Sequence, residues 1–545
     1  MEKRWQVLSE TSKPLREILI KNRKIEDQET FFQPHLHKLT SPDKFFPDLD
    51  KAIERLRKAI KNKELIYIYG DFDVDGITGC AILWETINSL GGKVLPYIPH
   101  REKEGYGIHS EAITTLAKEG AGLIISVDCG ITAVEEAKIA KNLSVDLIIT
   151  DHHTKQAEIP ESFALLHTDK LAGSGVAFML AKALLDSFSK GDEQFFKNLE
   201  LATIGTIADM VPLQGDNRII TANGLLNLRS SERVGLKALY AEAGVTNTLS
   251  TFEVGFLITP RLNAAGRMET AMDSLRLLLT RKETRAREIA RGLSQTNKER
   301  QEATASALNH AREVVAGNGS SKMIVVHHPS YLAGIIGLVA GRLVDEFYRP
   351  AIVISETSPL SKGSGRSISG FNITEALSGL KEHLTSHGGH PMAAGFSLEE
   401  AKIPHFKEEM LNYAEKNLLE ADLTPTLKID ARLEPEQINQ ETLGVISEFA
   451  PFGIGNPEPV FMAEDLLVMD ERTVGKEGKH LKMVLKDVDS RAFDAIGFGQ
   501  GGKAVTVGDK VDAVFTLNEN IWNGQKNLQL KVKDLRKKKD PATLR

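Results

Sequence analysis

Two cysteines, Cys80 and Cys129, are all that 545 residues contain. A disulfide framework is thereby excluded, and a reducing, cytoplasmic setting is expected. A basic excess is missing too: 68 Lys and Arg against 74 Asp and Glu leave a formal net charge of -6. That balance excludes a surface coated in cations, although a local basic groove would suffice to hold nucleic acid. No apolar run approaches the roughly 18 residues of a membrane span, so no membrane association is expected. The opening "MEKRWQVLSE" has no apolar signal core. Internal repeats are absent, and the only biased tract is the basic "RKKKD" near the end. What remains, 41% hydrophobic and 26% charged, is an ordinary globular composition, and its length predicts two to four domains.

Residues 1–45 read as a polar, partly helical lead-in. From 46 to 231 helices and strands alternate. Lys51 to Lys63 is an amphipathic helix, "LIYIY" a buried strand, and "TGCAILWETINSLGG" a helix stopped by Gly91 and Gly92. "KVLPYIP" is a strand, Ser110 caps the next helix, and "LIISVD", "AVEEAKIAKNL" and "DLIITD" are strand, helix and strand. Such alternation predicts a parallel sheet with helices on its faces. Residues 232–316 carry little strand signal, and their long, charged, proline-free part predicts a helix bridging two domains. A second α/β unit follows over 317–422. Short β-like runs between turn residues over 423–536 predict a small barrel, and 537–545 is a basic tail.

The acids fall in a pattern. The first strand of the sheet ends in Asp71, Asp73 and Asp75 ("YGDFDVDG"), the third in Asp128 ("SVDCG"), and the fourth in Asp151, His152 and His153 ("TDHH"). Open parallel sheets bind ligands at the carboxyl ends of their strands, so three strands deliver acids and imidazoles to one edge. Asp209, in "IGTIADMVPL", follows another apolar stretch and is placed to join them. Carboxylates gathered on buried strand ends are costly unless cations neutralise them. Oxygen-rich sites with one or two imidazoles and no thiolate suit Mn²⁺ or Mg²⁺ above Zn²⁺. So many acids exceed the needs of one ion; two ions about 3.5–4 Å apart, sharing a carboxylate, are the arrangement used for phosphoryl displacement. Cys129 reads as a small buried residue, not a ligand.

With those residues in place, the chain resembles the RecJ family, single-strand-specific 5′→3′ DNA exonucleases of the DHH phosphoesterase superfamily. The resemblance spans nearly the whole chain through "IYIYGDFDVDGITG", "YIPHREKEGYGI", "SVDCG", "TDHH", "LAGSGVAF", "GTIADMVPL", "PRLNAAGRM", "GSGRSISGFNITEAL", "GGHPMAAG" and "FGIGNPEPVF". It implies a DHH phosphoesterase domain, a helical connector, a DHH-associated domain and a C-terminal OB-fold. It further implies that Asp71, Asp73, Asp75, Asp128, His152 and Asp209 hold two divalent ions, Mn²⁺ or Mg²⁺, with Asp128 bridging. Asp151 would orient an imidazole from behind, and His153 would contact the scissile phosphate and protonate the leaving oxygen. Cleavage would be two-metal-ion hydrolysis releasing 5′ mononucleotides.

The resemblance also implies a substrate path. Arg101 in "HREKEGYG" would hold the 5′-terminal phosphate together with Ser364 and Arg366 of "GSGRS", where a Gly/Ser turn offers backbone N–H groups and an arginine a bidentate fork. His390 in "GGHPMAAG" and Asn263 in "PRLNAAGRM" would line the same cleft; Arg267 would either line it or form a structural pair. On the OB surface Phe452, Phe461, His480, Lys482 and Trp522 are the available stacking and basic side chains. One departure stands out: "LLHTDKLAGSGVAF" shortens the loop over 166–173, with His167, Thr168 and Asp169 in place of the family's Asn-Pro pair. A monomer acting on single-stranded DNA is expected, with a helicase and a single-strand-binding protein as reasonable partners in recombination and repair. The alternatives are a nano-RNase or phosphoadenosine phosphatase-like hydrolase of the same superfamily, and a non-catalytic DNA-binding scaffold.

Overall fold

The computed structural model describes residues 2–9, 13–101, 103–246, 249–317, 321–522 and 525–538, apart from the side chains of 521, 522 and 525. The chain forms two compact units, one joining residues 1–34 to 424–545 and the other spanning 35–423. The first segment is therefore no free lead-in. It supplies β1 (Arg4–Val7), α1 (Leu15–Asn22) and α2 (Gln28–Phe32), and buries Ile18, Leu19 and Phe31 in the core of the C-terminal barrel.

The larger unit begins with α3 (Leu49–Asn62), β2 (Leu65–Gly70), α4 (Val74–Ser89), β3 (Lys93–Tyr97), α5 (Ser110–Lys118), β4 (Ala121–Val127), α6 (Val134–Asn142), β5 (Asp146–Asp151) and β6 (Ala164–His167). Its five strands are all parallel, in the order β3-β2-β4-β5-β6. Side chains alternate between two cores as a period of two demands: Ile66 and Ile68 face one, Tyr67 and Tyr69 the other. The chain steps from β2 outward to β3 and returns on the opposite side of β2 as β4. That makes the β2/β4 crevice the switch point where such sheets bind ligands. Ser110 opens α5 instead of capping it, and its hydroxyl donates to Glu136 (3.1 Å).

α7 (Gly173–Ser187), α8 (Asp192–Ala208), α9 (Gly215–Arg229), α10 (Val234–Ala243), α11 (Thr259–Met268) and α12 (Met272–Leu279) lead into the 35-residue α13 (Glu283–Gly317). Ile289, Ala290 and Leu293 of α13 pack into the first core, while Ala307 and Ala311 pack beneath the second sheet. That sheet follows through β7 (Ile324–His328), α14 (Ile336–Phe347), β8 (Ala351–Ser355), β9 (Leu360–Arg366), α15 (Ile373–Gly379), β10 (Ser386–His390), β11 (Ala393–Glu399) and α16 (Ile403–Asn417), in strand order β10-β11-β9-β8-β7.

The smaller unit resumes with β12 (Thr426–Ile429), which pairs in parallel with β1. β13 (Ala431–Arg432) and α17 (Gln440–Glu448) precede β14 (Phe461–Val474), β15 (His480–Lys486), β16 (Ala492–Gly497), β17 (Lys510–Trp522) and β18 (Gln525–Lys537). Pairing of β14 with both β15 and β17 closes five strands into a barrel, as an OB-fold requires. Among the described residues no helix is long and apolar enough to cross a membrane.

Candidate functional site

The three carboxylates after β2 do not share one loop conformation. Asp71 leaves the strand, Asp73 caps α4 by accepting from the Asp75 and Gly76 amides (2.9 and 3.2 Å), and Asp75 lies in the first helical turn. Asn263 accepts the neighbouring Val74 amide through Oδ1 (3.0 Å) and so steadies the start of α4. Asp75 turns inward and accepts from the Gly173 and Ser174 amides at the start of α7 (2.6 and 2.9 Å), where a helix N-terminus favours an anion.

Asp128, after β4, is held in the left-handed backbone region (φ 61°). The first residue of α7 presses on it: a Cβ at Gly173 would stand 2.5 Å from Asp128 Oδ1. Gly173→Ala should therefore shift the carboxylate and weaken Mn²⁺ binding by about 10–100-fold, the usual cost of disturbing a ligand's support. Unchanged affinity by calorimetry would show that the contact is slack.

β5 ends on Asp151, which is fully buried. Its Oδ1 accepts from the His152 and His153 amides (2.7 and 3.1 Å) and lies 2.8 Å from His153 Nδ1, while Oδ2 accepts from Ile131 (2.8 Å). Burial alone would raise this carboxyl, but the His153 hydrogen bond and charge hold it below its usual range. The same pairing outweighs burial at His153 and raises its imidazole. Asp151 thus braces His153 from behind the site. His167, at the end of β6, adds a second brace from Nε2 to the His153 carbonyl (2.7 Å).

His152 Nε2 stands 3.1 Å from Asp128 Oδ1, 3.6 Å from Asp209 Oδ2 and 3.9 Å from Asp75 Oδ2. Three clusters result: Asp71, Asp73 and Asp128; Asp75, His152 and Asp209; and Asp128, His152 and His153, each with ligand atoms within 4.8 Å of one another. Asp71 Oδ1, Asp128 Oδ1 and His152 Nε2 are buried with no hydrogen-bond partner. Unpartnered buried acceptors on hard oxygen and imidazole donors are what divalent ions satisfy, so the residues fit two such ions.

Without cations the cluster repels itself. Burial first, then neighbouring carboxylates, raise Asp71 and Asp128, bring Asp75 to about 6 and Asp209 to about 9. Burial, then His153, pull His152 down to about 4. Because the folded carboxyls bind protons that the unfolded chain has already lost above pH ~4, stability of the metal-free protein should fall as pH rises from about 4 to about 9. Mn²⁺ uptake at neutral pH should release protons for the same reason. Calorimetry in buffers of different ionisation enthalpy reads that release, and identical heats in all buffers would contradict it.

Next to this centre lies a cavity of about 600 Å³ lined by Arg101, Tyr106, Arg267, Lys362, Ser364 and Arg366, among others. Tyr106 joins the two places: it lines the cavity, lies 3.0 Å from His153 Nδ1, and donates to the Asp128 carbonyl (3.2 Å). Arg101 also rests on the Phe72 ring at 4.8 Å. Arg267 donates to the Gly334 carbonyl (3.2 Å) and also lines the cavity. Burial and then Arg101 lower Arg267 to about 9 and lower Arg366 as well, the mark of crowded cations.

"GSGRS" is no turn. It lies along β9, paired on both sides by β8 and β11, so the ladder consumes its amides, and the Ser364 and Arg366 side chains line the cavity beside Lys362 of the same strand. Backbone donors come instead from a feature the sequence reading missed, the start of α14, whose Ile336 and Gly337 line the cavity. The glycines of "LAGIIG" ahead of an apolar run were its only signal. From exposed β10 the cavity wall takes Ser386, His387 and Gly388, while His390 at the strand's end stands within electrostatic reach of His152. Tyr106 and Lys362 were likewise unread.

In the barrel, Phe461 is wholly buried against Phe515 and offers no stacking face. Phe452 is half-buried against the barrel core. His480 sits edge-on to the exposed Phe498 at 5.3 Å, Lys482 is half-buried, and the Trp522 side chain lies outside the described residues.

Three family models match: the DHH family N-terminal domain over residues 65–207, the DHHA1 domain over 320–416, and the RecJ OB domain over 429–534. The single-stranded-DNA-specific exonuclease RecJ of Bacillus subtilis is 40% identical over 89% of this chain, which spans 63% of that protein's length. The Thermus thermophilus RecJ is 34% identical over 90% of this chain and 71% of its own, and that of Haemophilus influenzae 30% identical over 96% of both. The structure of Thermus thermophilus RecJ in complex with Mn²⁺ superposes with a TM-score of 0.86 at 30% identity, covering 98% of this chain and 80% of that one; its Mg²⁺ complex does so at 0.78 and 28%, covering 98% and 79%. The parallel sheet with its acidic strand ends, the second α/β domain, the closed barrel and these likenesses agree, and the chain belongs to the RecJ family of single-stranded-DNA-specific exonucleases.

Proposed function

We propose that the chain degrades single-stranded DNA from the 5′ end, releasing 5′ mononucleotides, and that the cavity fixes this polarity. The observation that carries the reading is the placement of Arg101, Arg267, Arg366 and Ser364 around one space that shares Tyr106 with the carboxylate cluster. A terminal phosphate dianion relieves the crowding of those cations, and guanidinium forks match its oxygens. The scissile phosphate then lies over the centre at a spacing set by the protein.

In this reading Asp71, Asp73, Asp75, Asp128, His152 and Asp209 would hold the two ions. The ions, when bound, supply Lewis-acid activation of water and neutralise charge building on the phosphoryl oxygens. The protein does the rest. Asp151 fixes His153 through Nδ1, which leaves Nε2 to pass a proton to the departing 3′ oxygen, and the raised imidazole suits that task. Tyr106 contacts the ring and His167 holds the His153 backbone carbonyl.

Neither a hydrolase of very short substrates nor a ligand-free scaffold is favoured by any feature: the barrel is built, and Asp209, at the C-terminus of α8, stands with Asp75 and His152 beside the acids of the strand tips. Action as a monomer in the cytoplasm fits the two buried free thiols. Recruitment by a helicase and a single-strand-binding protein would supply the unwound strand, in recombination and repair.

The test uses 5′-phosphorylated oligonucleotides with Mn²⁺, labelled at one end or the other. A 5′ label should appear first as a mononucleotide, while a 3′ label should pass through progressively shorter strands. The opposite order, or cleavage confined to dinucleotides, would overturn the proposal.

A further inference from the structure

Away from the strand-tip centre, other metal-ligating side chains converge on the second α/β domain. His405 and Glu409 lie one turn apart on α16, and His383 ends the short turn Lys381–His383 that leads towards β10. Glu409 reaches both imidazoles, with Oε2 2.8 Å from His383 Nε2 and Oε1 3.4 Å from His405 Nε2. The two rings meet edge to face at 4.9 Å. One ligand atom from each of the three residues lies within 4.8 Å of the others. A second carboxylate, Glu382 Oε1, stands 3.7 Å from His383 Nε2.

An ion pair needs one imidazole and one carboxylate, whereas here two imidazoles and the Glu409 carboxylate converge, with Glu382 within reach of His383. A tetrahedral ion with bonds of roughly 2.0–2.1 Å places its ligands about 3.4 Å apart. The 3.4 and 3.7 Å separations are already near that value, and the 2.8 Å one must open by roughly half an ångström. Two nitrogens beside carboxylates select Zn²⁺ or Co²⁺ over Mg²⁺, unlike the oxygen-rich centre. The His405 side chain is 62% exposed, so the point is open to an arriving ion.

We propose that His383, His405 and Glu409, completed by Glu382, form a binding site for a Zn²⁺-class ion that controls one wall of the phosphate cavity. β10 is the edge strand of its sheet and is exposed along its whole length. It nevertheless supplies Ser386, His387 and Gly388 to the cavity. An ion bound between the turn before β10 and α16 ties the start of this strand to a helix anchored in the core by Phe406 and Met410.

The experiment uses the full chain dialysed against Zn²⁺ with Mg²⁺ in excess. Metal analysis should find one equivalent of Zn²⁺ fewer in His405→Ala than in the unaltered protein. With Co²⁺ instead, the visible absorption of a four-coordinate ion should lose intensity in the same variant. Amide exchange over residues 384–392 should slow on adding Zn²⁺ to the unaltered chain and not to the variant. Glu409→Gln, which keeps the side chain's shape, repeats each measurement should His405→Ala fail to fold. Equal zinc contents would overturn the site. Loss of one equivalent with no change in exchange would overturn its link to the cavity.

Discussion

Asp128→Asn should abolish turnover, by on the order of 10³-fold or more, and at the same time make the metal-free protein more stable. Asp128 belongs to two of the three clusters and stands 3.1 Å from His152 Nε2, so its loss disturbs both cation positions. Asparagine is the right replacement because it tolerates the positive φ of this residue better than alanine does. It also keeps the shape that packs against Gly173. In chelator the wild-type carboxylate is buried among like charges, with its pKa raised by burial and then by Asp75, Asp73, Asp71 and Asp209. Removing that charge should stabilise the fold by about 1–3 kcal/mol. The sign is specific: the gain should grow as pH rises above ~4, where the unfolded carboxylate ionises freely, and vanish in acid. Denaturant melts at two pH values measure it. A variant less stable than wild type throughout would mean that Asp128 is satisfied by protein groups and is not waiting for a cation.

Arg366→Ala should erase the preference for a 5′-phosphorylated strand. Its guanidinium now bonds only within its own strand, to Ser364 Oγ (3.0 Å) and the Gly365 carbonyl (2.8 Å), with no carboxylate given to it by any ion pair among the described residues. The substitution therefore strands no buried anion. A bidentate fork to phosphate is worth about 3–4 kcal/mol, so kcat/KM for 5′-phosphorylated strands should fall roughly 10²–10³-fold. Strands ending in a 5′ hydroxyl should be hardly affected. Arg366→Lys should restore little, since a point charge cannot reproduce the fork. If both substrates slowed equally, Arg366 would be acting on the chemistry or the fold, not on the terminal phosphate.

The acidic centre was legible because each ligand-bearing tip follows an apolar run whose strand character is plain, and parallel strands must end on the same edge. Asp71, Asp128 and His152 needed nothing more. Asp75 shows where that logic stops. Its hydrogen bonds to Gly173 and Ser174 join segments 98 and 99 residues apart, and no local pattern encodes them. The glycines of "GSGRS" misled for another reason. They suggested a turn, but they are strand glycines chosen for close packing: a Cβ on Gly363 would lie 2.1 Å from the Phe396 ring, and one on Gly365 2.8 Å from Ile373. Alternating burial along β9 is hard to read when two of its seven positions have no side chain and two more are serine. Phe461, available for stacking on sequence grounds, is core in the structure, because an aromatic in a barrel strand has no written sign of the face it takes.

Pairing of β1 with β12 joins Arg4 to Thr426 and Val7 to Ile429, and this sets an order of events during synthesis. The first strand leaves the ribosome some 420 residues before its partner is made, long enough for the whole 35–423 unit to fold in the interval. Until then Trp5, Ile18 and Phe31 have no core to enter. The newborn protein therefore carries a sticky, half-made module throughout elongation, and slowing translation late in the message should raise its demand for chaperones more than slowing it early.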